Sequence, residues 1–333
     1  MKFNFKALLA AAGVAAFSFS PAQAFEAGPS STKSGSFIGA SAGMPPPGIY
    51  MFNQVFSYAA NFVGPNAPNH FGRNVYVDVQ GFIFVPGWTF LGATYNALIV
   101  QPFVAVAISD PAPLNINGVF DTYIVPIELS WTKIGGSNFA VKTGLGMYVP
   151  DGTIQGPLGI GNVGNPAWTF QPELALSYLG GGWNLTAFSY VEVNTANTRT
   201  NYTSAPVFHV DWTATYTIGK WTFGPVGYWY AQLSDDKCPV GVCTAFYGLD
   251  ALATHTQRFS VAAIGGLLEY NFGPASASVW ITQDVYSKAS NSAAVAAGLP
   301  DGSLIPRGLT VFGTLSYALW NPPAPPAPPM FHK

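Results

Sequence analysis

The stretch FHVDWTATYTIGKWTFGPVGYWYA, residues 208–231, places two ionisable side chains where they could do chemistry. His209 and Asp211 lie two apart, so on an extended chain they share one face, as a base and the carboxylate that orients it would. The other histidines are His70, His255 and His332, and none has a nucleophile at catalytic spacing. Catalysis is therefore not the expectation. No metal-ligand cluster and no cofactor motif is present either. The alternative chemistry is recognition: aromatic rings and hydrogen-bonding groups interleaved on one surface suit small amphipathic molecules, whose rings stack and whose hydroxyls find partners.

The elements that must position such a surface are strands. In 206–218, Phe208, Val210, Trp212, Ala214, Tyr216 and Ile218 share one side, and His209, Asp211, Thr213, Thr215 and Thr217 share the other. Segments 167–179 and 182–194 alternate in the same way. Further two-faced segments occupy 48–63, 73–86, 90–107, 119–133, 137–149, 220–233, 257–272, 275–287 and 307–320, about twelve in all. Each is long enough to cross a membrane as a tilted strand, which takes roughly 9–11 residues.

The connections alternate in length. Those at 86–88, 134–137, 180–182, 219–220 and 273–274 are tight and glycine-rich. Those at 150–166, 195–205, 234–256 and 288–306 are long and polar. Short periplasmic turns opposite long extracellular loops mark an outer-membrane barrel. An even strand count puts both ends of residues 48–320 in the periplasm.

Composition agrees. Only 8% of residues are charged and 15% are aromatic, whereas a soluble domain carries about 25% charge. The polar faces hold mostly Thr, Ser, Asn and Gln rather than the Lys and Glu of a solvated sheet. A formal net charge of −2 leaves no nucleic-acid footprint. The expected fold is all-β: a transmembrane antiparallel up-and-down barrel with an apolar outer face and a more polar lumen.

The candidate inward residues are Asn53, Tyr76, Asp78, Gln80, Asn96, Glu128, Lys142, Glu173, Phe188, Tyr190, Glu192, His209, Asp211, Tyr228, Tyr230, Glu269 and Asp284. They are the expected solute contacts. Their carboxylates have a structural alternative as paired groups that hold the barrel's shape, and Lys142 has Glu128 and Glu173 as partners within reach. Trp88, Trp131, Trp183, Trp221 and Trp320, with Tyr178, Tyr270 and Phe272, cluster at the tight turns. A ring of such residues fits the periplasmic membrane interface.

The first 24 residues have a basic start, an apolar run from Leu8 to Phe19 and a small-x-small site at Ala22-Gln23-Ala24, the pattern of a cleaved signal peptide. Residues 25–47, polar and ending in three prolines, read either as a periplasmic leader or as a lumen plug. Cys238 and Cys243 in CPVGVC read as a loop disulfide, the exported context favouring oxidation. The loop holding them covers the mouth either as a gate or as a protective surface. Residues 321–333, NPPAPPAPPMFHK, form a polyproline tail in the periplasm. The expected partners are outer-membrane lipids, small hydrophobic or aromatic solutes, and the barrel assembly machinery, which reads an aromatic final strand such as GLTVFGTLSYALW. No feature specifies an oligomeric state.

Three motifs carry a family resemblance. They are the proline-glycine-aromatic run AGMPPPGIY at 42–50, DTYIVPIELSW with Asp121, Pro126 and Trp131, and QPELALSY at 171–178. Together they resemble the MetA-pathway phenol-degradation family of Gram-negative outer-membrane barrels. The resemblance implies a channel for passive uptake of phenol-like or other hydrophobic compounds linked to their degradation. It leaves a structural or adhesive barrel, or a lipid-modifying enzyme, as alternatives. The layout is more distantly similar to fatty-acid transporter barrels, which have more strands and an N-terminal plug.

Overall fold

The computed structural model describes residues 30–65, 72–108, 114–154, 163–237, 258–298, 300–301 and 303–323. The signal-peptide region, Cys238 and Cys243 with most of their loop, and residues 324–333 lie outside them.

Strands β1 (Gly48–Val63), β2 (Gly72–Val85), β3 (Thr89–Phe90), β4 (Ala93–Ile108), β5 (Leu114–Val119), β6 (Thr122–Trp131), β7 (Phe139–Val149) and β8 (Thr169–Gly180) make the first part of the wall. β9 (Trp183–Asn194), β10 (Val207–Ile218), β11 (Trp221–Gln232), β12 (Arg258–Asn271), β13 (Ala275–Ser290) and β14 (Ile305–Trp320) complete it, and a short helix α1 (Ser292–Ala296) precedes β14. Every neighbouring pair is antiparallel. β1 pairs with β14 from Ile49 opposite Trp320 to Val63 opposite Ile305, which closes the sheet on itself. β3 is a two-residue stub on β4. β5 and β6 pair in succession with β4 and form one stave broken at Phe120 and Asp121, leaving twelve staves. Closure removes both sheet edges, so no open row of backbone groups faces lipid, as a membrane environment demands.

The strand limits follow the alternation. The departure is the stave read as 119–133, which starts at Leu114 and is interrupted. The ladder between β6 and β7 shifts register between Ile124 and Glu128. Pro126 sits in that shift, where its missing N–H costs no ladder bond. Two-residue turns Gly181-Gly182 and Gly219-Lys220 join β8 to β9 and β10 to β11, and Gly181, Gly182 and Gly219 all have positive φ. Such turns match the right-handed twist of a hairpin and favour glycine.

Burial runs inside out relative to a soluble domain. Leu174 and Leu176 on β8 are 41% and 50% exposed, while Gln171 and Glu173 on the same strand are 0% and 5% exposed. Val55, Ile99, Leu185, Ile264, Ile281 and Leu315 continue the exposed apolar band around the girth. A surface of this kind is stable against acyl chains and not against water. No helix among the described residues is long and apolar enough to cross a membrane, and the crossing elements are the strands. Exposed Trp88, Trp183, Trp221 and Trp320 all lie at the tight-turn end. There Trp88 stacks on Tyr95, Trp183 leans on Tyr216 and Trp221 meets Tyr270 edge-on. Trp131 at the same end donates its indole N–H to the Leu91 carbonyl.

Candidate functional site

The lumen is not empty. Residues 30–43 run inside the barrel along the inner faces of β8, β9 and β10, held by their own backbone. The Ser31 and Thr32 amides donate to the Glu192 carboxylate at 2.9 and 2.6 Å. The Gly35 amide lies 2.9 Å from both Asp211 oxygens, and the Phe37 amide donates to Oδ2 at 3.0 Å. Gly39 donates to Thr213 Oγ1 and Ala42 to Ser177 Oγ. Ser130 donates to the Ala42 carbonyl and Trp280 to that of Gly35. Ser34 Oγ is 2.8 Å from His209 Nδ1, and Thr32 Oγ1 meets the Tyr148 hydroxyl and Gln171. A backbone away from bulk water must find partners for its N–H and C=O groups. Those partners are the carboxylates and hydroxyls that alternation turns inward.

Side chains seat the segment further. Phe37 stacks on Phe188 at 4.2 Å with the rings 4° from parallel. Lys33 Nζ lies 4.4 Å from the Tyr58 ring centre and 4.7 Å from that of Tyr228, whose hydroxyl it reaches at 3.1 Å. Burial lowers the Lys33 ammonium from its ordinary value, with Asp284 and Asp211 opposing the shift. Gly35 turns with φ +95°, and a Cβ there would lie 3.1 Å from the Tyr228 ring.

Opposite this segment the lumen holds a cavity of about 510 Å³. Its wall is the inner face of β2, with Val75, Val77, Val79 and Ile83, and of β4, with Leu98, Val100, Pro102, Val104 and Val106. Phe52, Phe56 and Phe120 extend it, and Phe37 and Ile38 of the inner segment face it. Two glycines let aromatic rings lie flat against the wall: a Cβ on Gly81 would meet the Phe52 ring, and one on Gly146 the Tyr123 phenol. Toward the tight turns the lining becomes polar, with Glu269, Asn96 and the Lys142–Glu128 pair at 3.6 Å. Toward the long loops it ends at Arg73, Tyr58 and Tyr230.

The residues expected from the sequence divide three ways. Glu192, His209 and Asp211 face inward and are taken up by the inner segment. His209 and Asp211 share no hydrogen bond, so they form no base-and-orienter pair. His209 instead stacks between Tyr190 and Tyr230 at 4.4 and 5.4 Å. Tyr228 and Asp284 bond to each other, and Tyr123 and Gln171 both donate to Glu173. Glu128, Lys142, Glu173, Tyr230 and Glu269 line the cavity.

Asn53, Tyr76, Asp78 and Gln80 are corrections. They lie on the outer face, Tyr76 at 53% exposure, with Asn53 Nδ2 donating to Asp78 Oδ1 at 2.5 Å. On most strands the polar face points inward, but β1 and β2 bound the apolar chamber, and there these four polar residues fall on the outer face. The valines of β2 and β4 were missed. Their signal was present: 93–108 is apolar at both parities, so one apolar face of that strand had to line the lumen.

The family described as "Putative MetA-pathway of phenol degradation" matches residues 59–294. Among solved structures, an outer-membrane channel from Pseudomonas putida F1 is similar at 12% identity and a TM-score of 0.66, over 86% of this chain and 100% of that one. The β domain of a Bordetella autotransporter is similar at 10% identity and a TM-score of 0.44, over 82% and 100%. These likenesses are of fold. No curated protein sequence matches.

Proposed function

The chain belongs to the MetA-pathway phenol-degradation family, and from that premise we propose that it is an outer-membrane channel for passive uptake of small hydrophobic or aromatic compounds. The observation that carries the proposal is the 510 Å³ cavity walled by the valines of β2 and β4. A barrel of twelve staves falls between the filled eight-strand barrel and the open sixteen-strand pore. With residues 30–43 on one side, the remaining passage is narrow and apolar. Such a wall excludes sugars and small hydrated ions, whose polar surface loses hydration there without compensation. It accepts a ring that gains dispersion contact and gives up little water.

In this reading residues 30–43 are a plug that restricts the lumen, and solute moves between them and the β2–β4 wall. The similar P. putida protein is an outer-membrane channel, in keeping with transport rather than catalysis. Residues 1–24 direct export, and the tight-turn aromatics sit at the periplasmic interface.

The test is permeation. Purified protein in liposomes should pass phenol and toluene and exclude sugars of similar mass. Replacing Val100 by Asp should abolish the aromatic flux while the barrel remains folded by heat-modifiable gel mobility. Equal flux of aromatics and sugars, or none of either, would sink the proposal.

A further inference from the structure

At the long-loop end of the chamber one cation has no ion-pair partner among the described residues. Arg73 Nε is buried without a hydrogen bond. Among the described residues no carboxylate forms an ion pair with it, and its electrostatic neighbours are the phenols Tyr58 and Tyr230. A guanidinium carries five donors in a rigid fork and is almost never buried unpaired, because desolvation without a counter-charge is costly.

The other arginines near this wall show the ordinary arrangement. Arg258 pairs with Asp235 at 2.7 Å, and Arg307 donates to the carbonyls of Asp284 and Val285. The carboxylates Asp284, Glu128 and Glu173 are already engaged, and Glu269 lies at the opposite, tight-turn end of the chamber. Asp284 accepts from Tyr58, Tyr228 and the Gly308 amide. Glu128 accepts from Asn96 and pairs with Lys142, and Glu173 accepts from Tyr123 and Gln171. Lys33, from the inner segment, adds a second positive charge to the same lining.

We propose that Arg73 is an anion subsite, which takes the carboxylate of an amphipathic solute while its apolar body lies along Val75, Val77, Val104 and Val106. The inference rests on the chamber being the solute path, and it adds to the neutral aromatics a favoured class of solute with one ring or short chain and one carboxylate. Guanidinium and carboxylate match as a two-pronged pair. The Tyr58 and Tyr230 rings flank the head group, and Lys33 adds attraction through the low-dielectric interior.

Benzoate and benzamide share a ring and differ in charge, so they are the probes, with full-length protein in detergent and in liposomes. Binding is read from intrinsic tyrosine and tryptophan fluorescence. Benzoate should bind wild type more tightly than benzamide, and Arg73→Gln should weaken benzoate about tenfold or more while leaving benzamide unchanged. Arg73→Lys should recover part of the loss, since the charge remains and the fork does not. Equal binding of the two probes to wild type overturns the subsite and needs no variant, so it decides even if Arg73→Gln fails to fold. A parallel loss of both probes in Arg73→Gln overturns it as well. Phenol flux through wild-type liposomes tests the channel separately. Phenol passage without benzoate preference removes the subsite alone. Arg73-dependent benzoate binding without any flux removes the channel and keeps the subsite.

Discussion

Removing Asp211 and Glu192 should open the barrel. Asp211 accepts the Gly35 and Phe37 amides at 2.9 to 3.0 Å, and Glu192 accepts those of Ser31 and Thr32 at 2.9 and 2.6 Å. A hydrogen bond to a charged group contributes about 1.5–3 kcal/mol. Water entering the vacated space recovers part of that, so Asp211→Ala should cost the seated segment about 2–4 kcal/mol. At a factor of ten per 1.4 kcal/mol, the ratio of seated to released segment falls about 30- to 700-fold. The second substitution acts on the same stretch of chain, and the double variant should lose its hold on residues 31–37. Single-channel recording in planar bilayers reads the outcome. The double variant should show larger, longer openings than wild type, with Asp211→Ala intermediate and heat-modifiable mobility preserved. A folded double variant with wild-type conductance would refute the reasoning, because either the carboxylates do not hold the segment or the segment is not the obstruction.

Phe37→Ala removes a ring stacked on Phe188 that also faces the cavity. It should speed permeation of naphthalene relative to toluene in liposome assays, and an unchanged ratio counts against the chamber as the path. Val77→Asn puts an amide into the apolar wall at a cost of about 1–3 kcal/mol for a passing ring, so toluene flux should drop about 5- to 140-fold. Lys142→Ala leaves Glu128 with Asn96 as its remaining partner. For a pair whose side chains are 14% and 9% exposed, the loss should be about 1–3 kcal/mol, read as a lower temperature of heat-modified gel mobility. Lys33 gives a pH dependence. Its ammonium is depressed below 10.5 in the seated state, so raising pH from that lowered value toward 10.5 favours the seated segment and falling pH weakens it. Conductance should decrease over this alkaline window in wild type and stay flat in Lys33→Met.

Much of the wall was legible because a membrane strand obeys two constraints at once, period-two alternation and lipid on one side. For β8, β9 and β10 both were visible in the sequence, and Gln171, Glu173, Glu192, His209 and Asp211 face inward as their polarity required. The broken stave was less legible. Pro126 could be read as a bulge, but nothing in NGVFDTYIV announces the break at Phe120 and Asp121: the Phe120 amide still donates to the Pro102 carbonyl of β4, while Asp121 turns to accept the amides of Gly152 and Asn165 from a distant loop. On β1 and β2 the face assignment inverted, because alternation fixes which residues share a side and not which side that is. Asp78 settles on the outer face with a 2.5 Å bond from Asn53, a pairing between neighbouring strands that single-strand reading does not see.

The division of the lumen follows from one asymmetry in those inner faces. A chain inside a barrel brings a run of amides and carbonyls that must be paired. Residues 30–43 have few polar side chains large enough to reach across, and their glycines and serines pack close to a wall instead. They can therefore settle only against a face that supplies acceptors, and β8 to β10 supply Gln171, Glu192, Asp211 and Thr213. The face of β2 and β4 offers valine, leucine and proline, against which the same backbone would lose every one of those bonds. An apolar solute has the opposite preference, because a ring displaced onto the Asp211 side would strand the acceptors that the amides now satisfy. Seating the chain on the polar half thus leaves the apolar half as the passage. In the proposed reading Glu192, Asp211 and Tyr228 position the segment that shapes it, while Val77 and Val100, with Glu128, Glu173 and Tyr230 toward the ends, form the surface a solute meets.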